Sequence, residues 1–596
     1  MGNDTLASLF WWRIETGAAR DAQLVKRDGA WRRLTWSEVG DVVRELAFGL
    51  LALGRRPGDT VAILAASRAE WVLADFAILS AGCTTVPIYP SYTPGQIEDI
   101  LDECETRTVI VEDRAQLSRV LEVRDKLSVL EQVVVIDGRD AHTPLVLTWE
   151  ELRRRGREHA EHHTSLLAER VASIQPGDVA TIVYTSGTTG EPKGVVQTHA
   201  NHMAALAALA QIPGVQPGDV HLLFLPLAHS FARLEAFMAV HRGLVTAFAE
   251  HLDSVGDDLR EVRPDFIFAV PRVFEKAHAR IGATVAAGPP LRRWLFAQAM
   301  RVGRQVSRLQ QTRRPIPAGL ALARRVADRL VFSSVRRAFG GRLRFAVSGG
   351  APLPREIAEF FHAIGILVVE GYGLTEACPV LTFNRLDRFR FGSVGQAIPG
   401  VELRVAPDGE ILARGPNVAT RGYFKRPEAT ADVFGPDDWF RTGDIGHLDD
   451  EGFLYLTDRK KDLIVTSGGI NIAPQSIEHL LRRDAFVADA MLYGDRRPYP
   501  TALIALDPAA VARFAREHGL LVSDYAQLTQ HPDVMARVKA AVEAANAQLQ
   551  SYAQIKKFAV IPGELTEAGG ELTPTQKMKR RVVAAKYQAL LEALYR

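Results

Sequence analysis

The chain has 596 residues, too many for one hydrophobic core, so several compact units are expected. Its 72 lysines and arginines nearly cancel 70 aspartates and glutamates, which removes any global electrostatic case for nucleic acid. Cys83, Cys104 and Cys378 are its three cysteines, too few and too scattered for a disulfide framework or a cysteine metal site, and a reducing cytoplasm is the expected setting.

The N-terminal stretch MGNDTLASLFWWRIETG has Asp4 where a leader would have basic residues, so no secretory signal is predicted. No run of about 18 apolar residues occurs, and no membrane-spanning helix is predicted. From 34 to 111 helix and strand signals alternate: a helix from Ser37 to Gly54, a strand over 60–64, a helix over 69–81, then strand 84–88, helix 94–104 and strand 108–111. This is the rhythm of a doubly wound α/β fold. A further strand is expected over 132–137. The polar run RRRGREHAEHH at 153–163 reads as a solvated connection, and its histidines share no face with an acidic or cysteine partner that would make a metal site.

Residues 184–194, YTSGTTGEPKG, crowd three glycines and four hydroxyl residues around Lys193. Glycines bring several backbone N–H groups to one point, hydroxyls add donors and lysine adds charge, which suits a polyphosphate. The spacing is not that of a Walker A loop, because Pro192 precedes Lys193 and an apolar strand rather than a helix follows. A surface turn is the alternative reading. Downstream, the run 222–231 reads as a buried strand ending in His229. Residues 292–344 hold fourteen arginines and one acid, Asp328, on helical apolar spacing. A solvated face, or attraction to anionic headgroups or CoA phosphates, would account for it.

From 343 a strand, a Gly349-Gly350 turn, a helix from Pro354 stopped by Gly365 and a second strand compose a βαβ unit. Both strands end on one edge, which brings Gly349 and Gly350 to Gly371-Tyr372-Gly373-Leu-Thr375-Glu376. Tyr372 offers a face for a base, Thr375 a hydroxyl for phosphate and Glu376 an oxygen ligand for Mg²⁺. Cys378 reads as a packing residue. Residues 392–457 form a small β-rich unit carrying WFRTGD, whose Asp444 at a turn can accept ribose hydroxyls. After DRKKD at 458–462 a smaller α+β unit follows, ending in a basic segment with Lys577.

Five motifs (YTSGTTGEPKG, GYGLTE, WFRTGD, DRKKD and PTQKMKR) fall in the order of the AMP-forming acyl-adenylating enzymes, and the chain resembles that superfamily from about residue 34 to 581. FLPLAHSF, DRKK and LTPTQKMKRR resemble the long-chain fatty acid CoA ligase branch; Ile470 stands where that branch would place a basic residue. The resemblance implies an N-terminal AMP-binding domain over 1–460, made of doubly wound α/β subdomains and a small β-rich unit, and a small mobile α+β lid over 461–596. It implies that ATP and a fatty acid give acyl-AMP and pyrophosphate, and that CoA then takes the acyl group. Thr185, Ser186, Gly187, Thr188, Thr189, Gly190 and Lys193 would hold phosphates, with Glu376 and Thr188 on Mg²⁺. Gly349, Gly350, Gly371, Tyr372, Gly373, Thr375, Asp444 and Arg459 would hold the nucleotide. His229 would lie beside the carboxylate, Lys577 would reach carboxylate and α-phosphate, Lys461 would be the pivot, and Gly468 and Gly469 would face the pantetheine arm. Loading of a carrier-protein thiol, a shorter or aromatic acid, and non-catalytic nucleotide or lipid binding are the alternatives.

Overall fold

The computed structural model describes residues 3–138, 143–185, 192–435, 437–467, 470–522, 524–573 and 576–596. Among them the strands form two large sheets and three small ones. In the seven-stranded sheet Thr60–Leu64, Thr84–Ile88, Thr108–Val111, Gln132–Val135, Val146–Thr148 and Val179–Thr185 run parallel, and Lys193–Thr198 returns antiparallel at the edge. Unbroken apolar strands such as TVIV suit a sheet covered on both faces. The nine-stranded sheet has Phe266–Ala269, Phe345–Ser348 and Leu367–Tyr372 side by side in parallel.

Helix Ala69–Ser80 is buried along its whole length except at Glu70, and is accordingly apolar save for Glu70, Asp75 and Ser80. Its Phe76 stacks on Phe10 at 4.6 Å and meets Phe237 edge-on at 5.7 Å. Asp75 of the same helix pairs with Arg233, Nη2 to Oδ1 at 2.6 Å, with both side chains almost wholly excluded from solvent. Thr85 donates to Asp75 at 2.7 Å, and Arg233 also donates to Thr181. This network fastens the strand that enters the phosphate loop to helix Ser230–Arg242, which begins just after His229.

The doubly wound reading holds, with strands Thr60–Leu64, Thr84–Ile88 and Thr108–Val111 where alternation placed them. Three local readings change. The cap of helix Trp36–Ala52 is Thr35 rather than Ser37, because Glu38 completes a capping box with Thr35. Residues 153–163 are not a solvated connection: they lie largely within helix Trp149–His162. Leu152 is buried there, and Arg153 and Arg157 reach Glu45 at 2.6 and 3.0 Å. The apolar run before His229 is a strand only over Val220–Leu223; Pro226 cannot donate to a ladder, and His229 instead caps the next helix. The first 33 residues, unassigned from sequence, supply helix Leu6–Gly17 and the hairpin that edges the large sheet.

Strands Glu402–Val405, Glu410–Arg414, Phe440–Leu448 and Leu454–Arg459 make the antiparallel β-rich unit. Beyond it, Val487–Tyr493, Thr501–Leu506 and Lys557–Val560 carry helices Pro474–Arg482, Pro508–Glu517 and Pro532–Asn546 around a core of their own. Among the described residues no helix is long and apolar enough to cross a membrane.

Candidate active site

The large sheets, the β-rich unit and the C-terminal unit enclose a cleft of about 1390 Å³. Thr185, Lys193, His229, Gly349, Gly350, Gly371, Tyr372, Gly373, Thr375, Glu376, Asp444, Arg459, Lys461 and Lys577 all line it. Residues widely separated in sequence thus meet in one space. Ser186, Gly187, Thr188, Thr189, Gly190, Gly468 and Gly469 lie outside the described residues.

The Gly/Thr-rich motif spans the end of strand Val179–Thr185 and the start of strand Lys193–Thr198, whose antiparallel pairing sets Thr185 opposite Lys193. The second strand is pinned to residues 422–424 by Val196 N–H to Gly422 at 3.0 Å and Phe424 N–H to Gly194 at 2.7 Å. This places the Lys193 ammonium 5.0 Å from the Tyr423 ring centroid. The Tyr423 hydroxyl in turn donates to Glu376 Oε1 at 2.7 Å. Burial raises the Glu376 carboxyl above its usual range, and the Tyr423 hydrogen bond opposes that rise. The Thr375 carbonyl accepts from Gln197 at 2.6 Å, so the motif 371–376 and the loop strand form one rigid wall.

Gly371 and Tyr372 are the last residues of strand Leu367–Tyr372, paired with Phe383 and Thr382. A Cβ at Gly373 would collide with the Pro379 carbonyl, so only glycine fits where the chain leaves the sheet. The Tyr372 hydroxyl donates to Asp444 Oδ2 at 2.6 Å. Asp444 lies inside strand Phe440–Leu448 instead of at an isolated turn, and the ladder sets it opposite Arg459. The guanidinium Nε of Arg459 is 3.2 Å from Asp444 Oδ1. Motifs WFRTGD and DRKKD are therefore neighbours across two antiparallel strands.

At the other end of the constellation His229 Nδ1 accepts the Phe231 N–H at 3.1 Å, which leaves the proton on Nε2. Burial, helped by the Lys577 charge, pushes this imidazole down to about 3, so it is a neutral donor at working pH. Lys577 has its backbone N–H on Thr573 Oγ1 at 3.0 Å. By area Lys577 is exposed, but it lines the cleft, where surrounding protein displaces bulk water. Burial and then Arg459 push its ammonium down to about 8, against Asp444, which holds it up.

Residues 11–424 match the AMP-binding enzyme family, and residues 461–596 match the AMP-binding enzyme C-terminal domain. The chain belongs to the AMP-binding enzyme family. It is 37% identical to the long-chain-fatty-acid–CoA ligase FadD15 of Mycobacterium bovis, over 95% of this chain and 93% of that protein. It is 31% identical to the long-chain-fatty-acid–CoA ligase ACSBG2 of Xenopus laevis, over 96% and 81%. Its fold is similar to the crystal structure of the anthranilate CoA ligase AuaEII in complex with anthranoyl-AMP, with a TM-score of 0.73 at 20% identity, covering 99% and 98% of the two chains.

Within this family architecture the cleft also has an apolar arm, lined by Ile212, Leu234, Met238, Phe268, Phe345 and Leu386 among others. Sequence reasoning missed Tyr423 and Gln197, since each acts through a partner remote in sequence; the aromatic pair Tyr423-Phe424 flanked by charge in RGYFKR was the available signal. It also missed the C-terminal wall of Gln475, His479 and Arg482. Cys378 is buried against Val195 and Ala419, and burial raises its thiol, so it packs rather than reacts.

Proposed function

We propose that this protein activates a long-chain fatty acid with ATP and passes the acyl group to CoA. The observation that carries the reading is the junction in one cleft of an apolar arm, a neutral imidazole donor at His229, the Lys577 ammonium and the Asp444–Arg459 pair. Two anions must react, so the protein's task is alignment and charge neutralisation. A carboxylate oxygen attacks the α-phosphorus, the bond to the β-phosphate oxygen breaks, and pyrophosphate leaves. His229 orients the carboxylate through Nε2–H, and Lys577 faces the charge that builds between carboxylate and α-phosphate. Asp444, held by Tyr372 and Arg459, is pre-set for the ribose hydroxyls, and Lys193 with Thr185 faces the departing phosphates. The thiol sulfur then attacks the acyl carbon, AMP leaves and the thiol proton passes to solvent.

The donor set fits Mg²⁺, which takes one or two protein carboxylates and completes its shell with substrate phosphates and water. Glu376 supplies such a carboxylate at the cleft wall, oriented by Tyr423. Bound there, the ion would add charge neutralisation at the phosphates. A third part of the reading concerns location: the arginine-rich helices turn Leu322, Val326 and Leu330 outward together with Arg325 and Arg329, a face suited to an anionic membrane surface. The deciding experiment for the chemistry is fatty-acid-dependent ATP–pyrophosphate exchange with product analysis. AMP and pyrophosphate are expected, and ADP with phosphate would reject the reading.

A further inference from the structure

We propose that Leu386 sets the acyl-chain length this enzyme accepts, acting as the wall between the apolar arm of the cleft and a second space beyond it. The inference rests on the fatty-acid reading above and adds the residue that limits the substrate.

The second space is an open groove of about 650 Å³, lined mostly by polar residues, Gln310, Arg313, Arg314, His362 and Asp387, with Leu367 and Phe389 also in its lining. Leu386 is the residue common to its lining and that of the cleft. The two spaces follow one face of the large sheet. Phe268 pairs in register with Val347, and Phe345 with Leu367, and side chains two residues apart on a strand share a face. Phe268, Val347 and Phe345 line the cleft, whereas Leu367, the next step across the same face, lines the groove. An apolar strip therefore passes under Leu386 from one space to the other.

Leu386 is fixed rather than loose. Its backbone lies in a tight turn closed by Arg385 N–H to Arg388 O at 3.0 Å and the reciprocal bond at 3.1 Å. The Arg385 guanidinium is anchored on Asp387 at 3.0 and 2.9 Å. Across from it, Gly214 has φ +127°, and a Cβ there would run into Leu386 Cδ1, so the glycine provides the room in which the leucine sits. With the backbone held, the size of the side chain sets where the arm ends. Beyond it Leu367, Phe389 and Pro315 offer apolar contact within a groove that is otherwise polar, with Arg313, Arg314 and Asp387 among its lining.

The test measures acid-dependent ATP–pyrophosphate exchange for saturated acids of eight to twenty-two carbons, in wild type, Leu386→Ala and Leu386→Trp, with thermal unfolding of each protein alongside. Alanine should open the wall, move the preferred length up by about two methylenes and raise kcat/KM for the first acid beyond the wild-type limit roughly tenfold. Tryptophan should shorten the range, with the loss growing with chain length. Should the tryptophan variant not fold, alanine alone decides. An unchanged length profile, or a loss in Leu386→Ala equal at all lengths, overturns the proposal. A wild type that responds to none of these acids overturns instead the fatty-acid reading on which it rests.

Discussion

Replacement of Lys577 by alanine should separate the two half-reactions. Burial and Arg459 hold this ammonium at about 8 in the free protein. Because kcat/KM reports the free enzyme, adenylation should show a falling limb centred near pH 8, losing about tenfold per pH unit above it. An ordinary lysine would keep the plateau to about pH 10.4. Removing one well-aimed charge from a transition state between two anions costs about 3–4 kcal/mol, so Lys577→Ala should slow acyl-AMP formation roughly a hundredfold to a thousandfold. Formation of acyl-CoA from supplied acyl-AMP should stay near the wild-type rate, since that step has no such charge to neutralise. Lys577→Arg keeps a cation and should carry the alkaline limb out of the accessible range. The assays are pyrophosphate release in a single turnover across pH, and thioester formation from acyl-AMP. Near-normal adenylation in Lys577→Ala, or the same limb near pH 8 in Lys577→Arg, would refute the assignment.

Chelation of Mg²⁺ should abolish pyrophosphate release, and Tyr423→Phe, which removes the donor that orients Glu376, should raise the Mg²⁺ needed for half-activity about tenfold; an unchanged metal titration would show that Glu376 is not a ligand. Asp75→Leu strands the buried Arg233 guanidinium and should destabilise the chain by about 3–5 kcal/mol in urea unfolding, with Asp75→Leu/Arg233→Met recovering most of the loss; a single-variant loss near zero would contradict the network. Lys461→Pro removes a donor and fixes φ, and should keep measurable acyl-AMP formation while thioester formation falls far more; equal losses would put the pivot elsewhere. Vesicles of anionic lipid should retain the protein and neutral ones should not, with about 1 kcal/mol per arginine that reaches the surface and release by salt. Equal, salt-independent recovery on both would mean that the face is merely solvated.

What could be read in advance was what periodicity and local chemistry encode. Strand Thr108–Val111 shows itself as TVIV between turn signals, and Gly365 marks a helix end because its φ of +93° suits no other residue so well. Pairing across long separations was not visible. Asp444 reads as a turn acid until the ladder sets it opposite Arg459, and Tyr423 reads as nothing until the edge strand Lys193–Thr198 draws its segment beside Glu376. Helix Trp149–His162 was misread for a related reason: Arg153 and Arg157 are spent on Glu45 of a neighbouring helix and Arg155 on Glu151 of its own, so charge that suggested a loop instead supports a packed helix.

The same distribution of contacts bears on how one cleft can host two steps. Strand Leu454–Arg459 ends two residues before Lys461, and the residue between, Lys460, is clasped by Asp408 and Glu410 at 2.7 Å each. That clasp belongs wholly to the N-terminal side, so a rotation at Lys461 would leave Arg459 on Asp444 and the ribose contacts undisturbed. Contacts that cross the joint are of another kind. Asp458 accepts the Gln475 N–H at 3.0 Å, and Arg483 meets Glu356 at 2.6 Å with both side chains well exposed. An exposed pair of that sort contributes about 0–1 kcal/mol. Were the C-terminal unit to rotate at Lys461, Lys577 would travel with it, and the hydrogen bond to the buried Asp458 is the stronger of these two contacts that the motion would have to break. On the proposed chemistry, loss of pyrophosphate would remove part of the anionic charge facing Lys577, which would tie such a movement to completion of the first step.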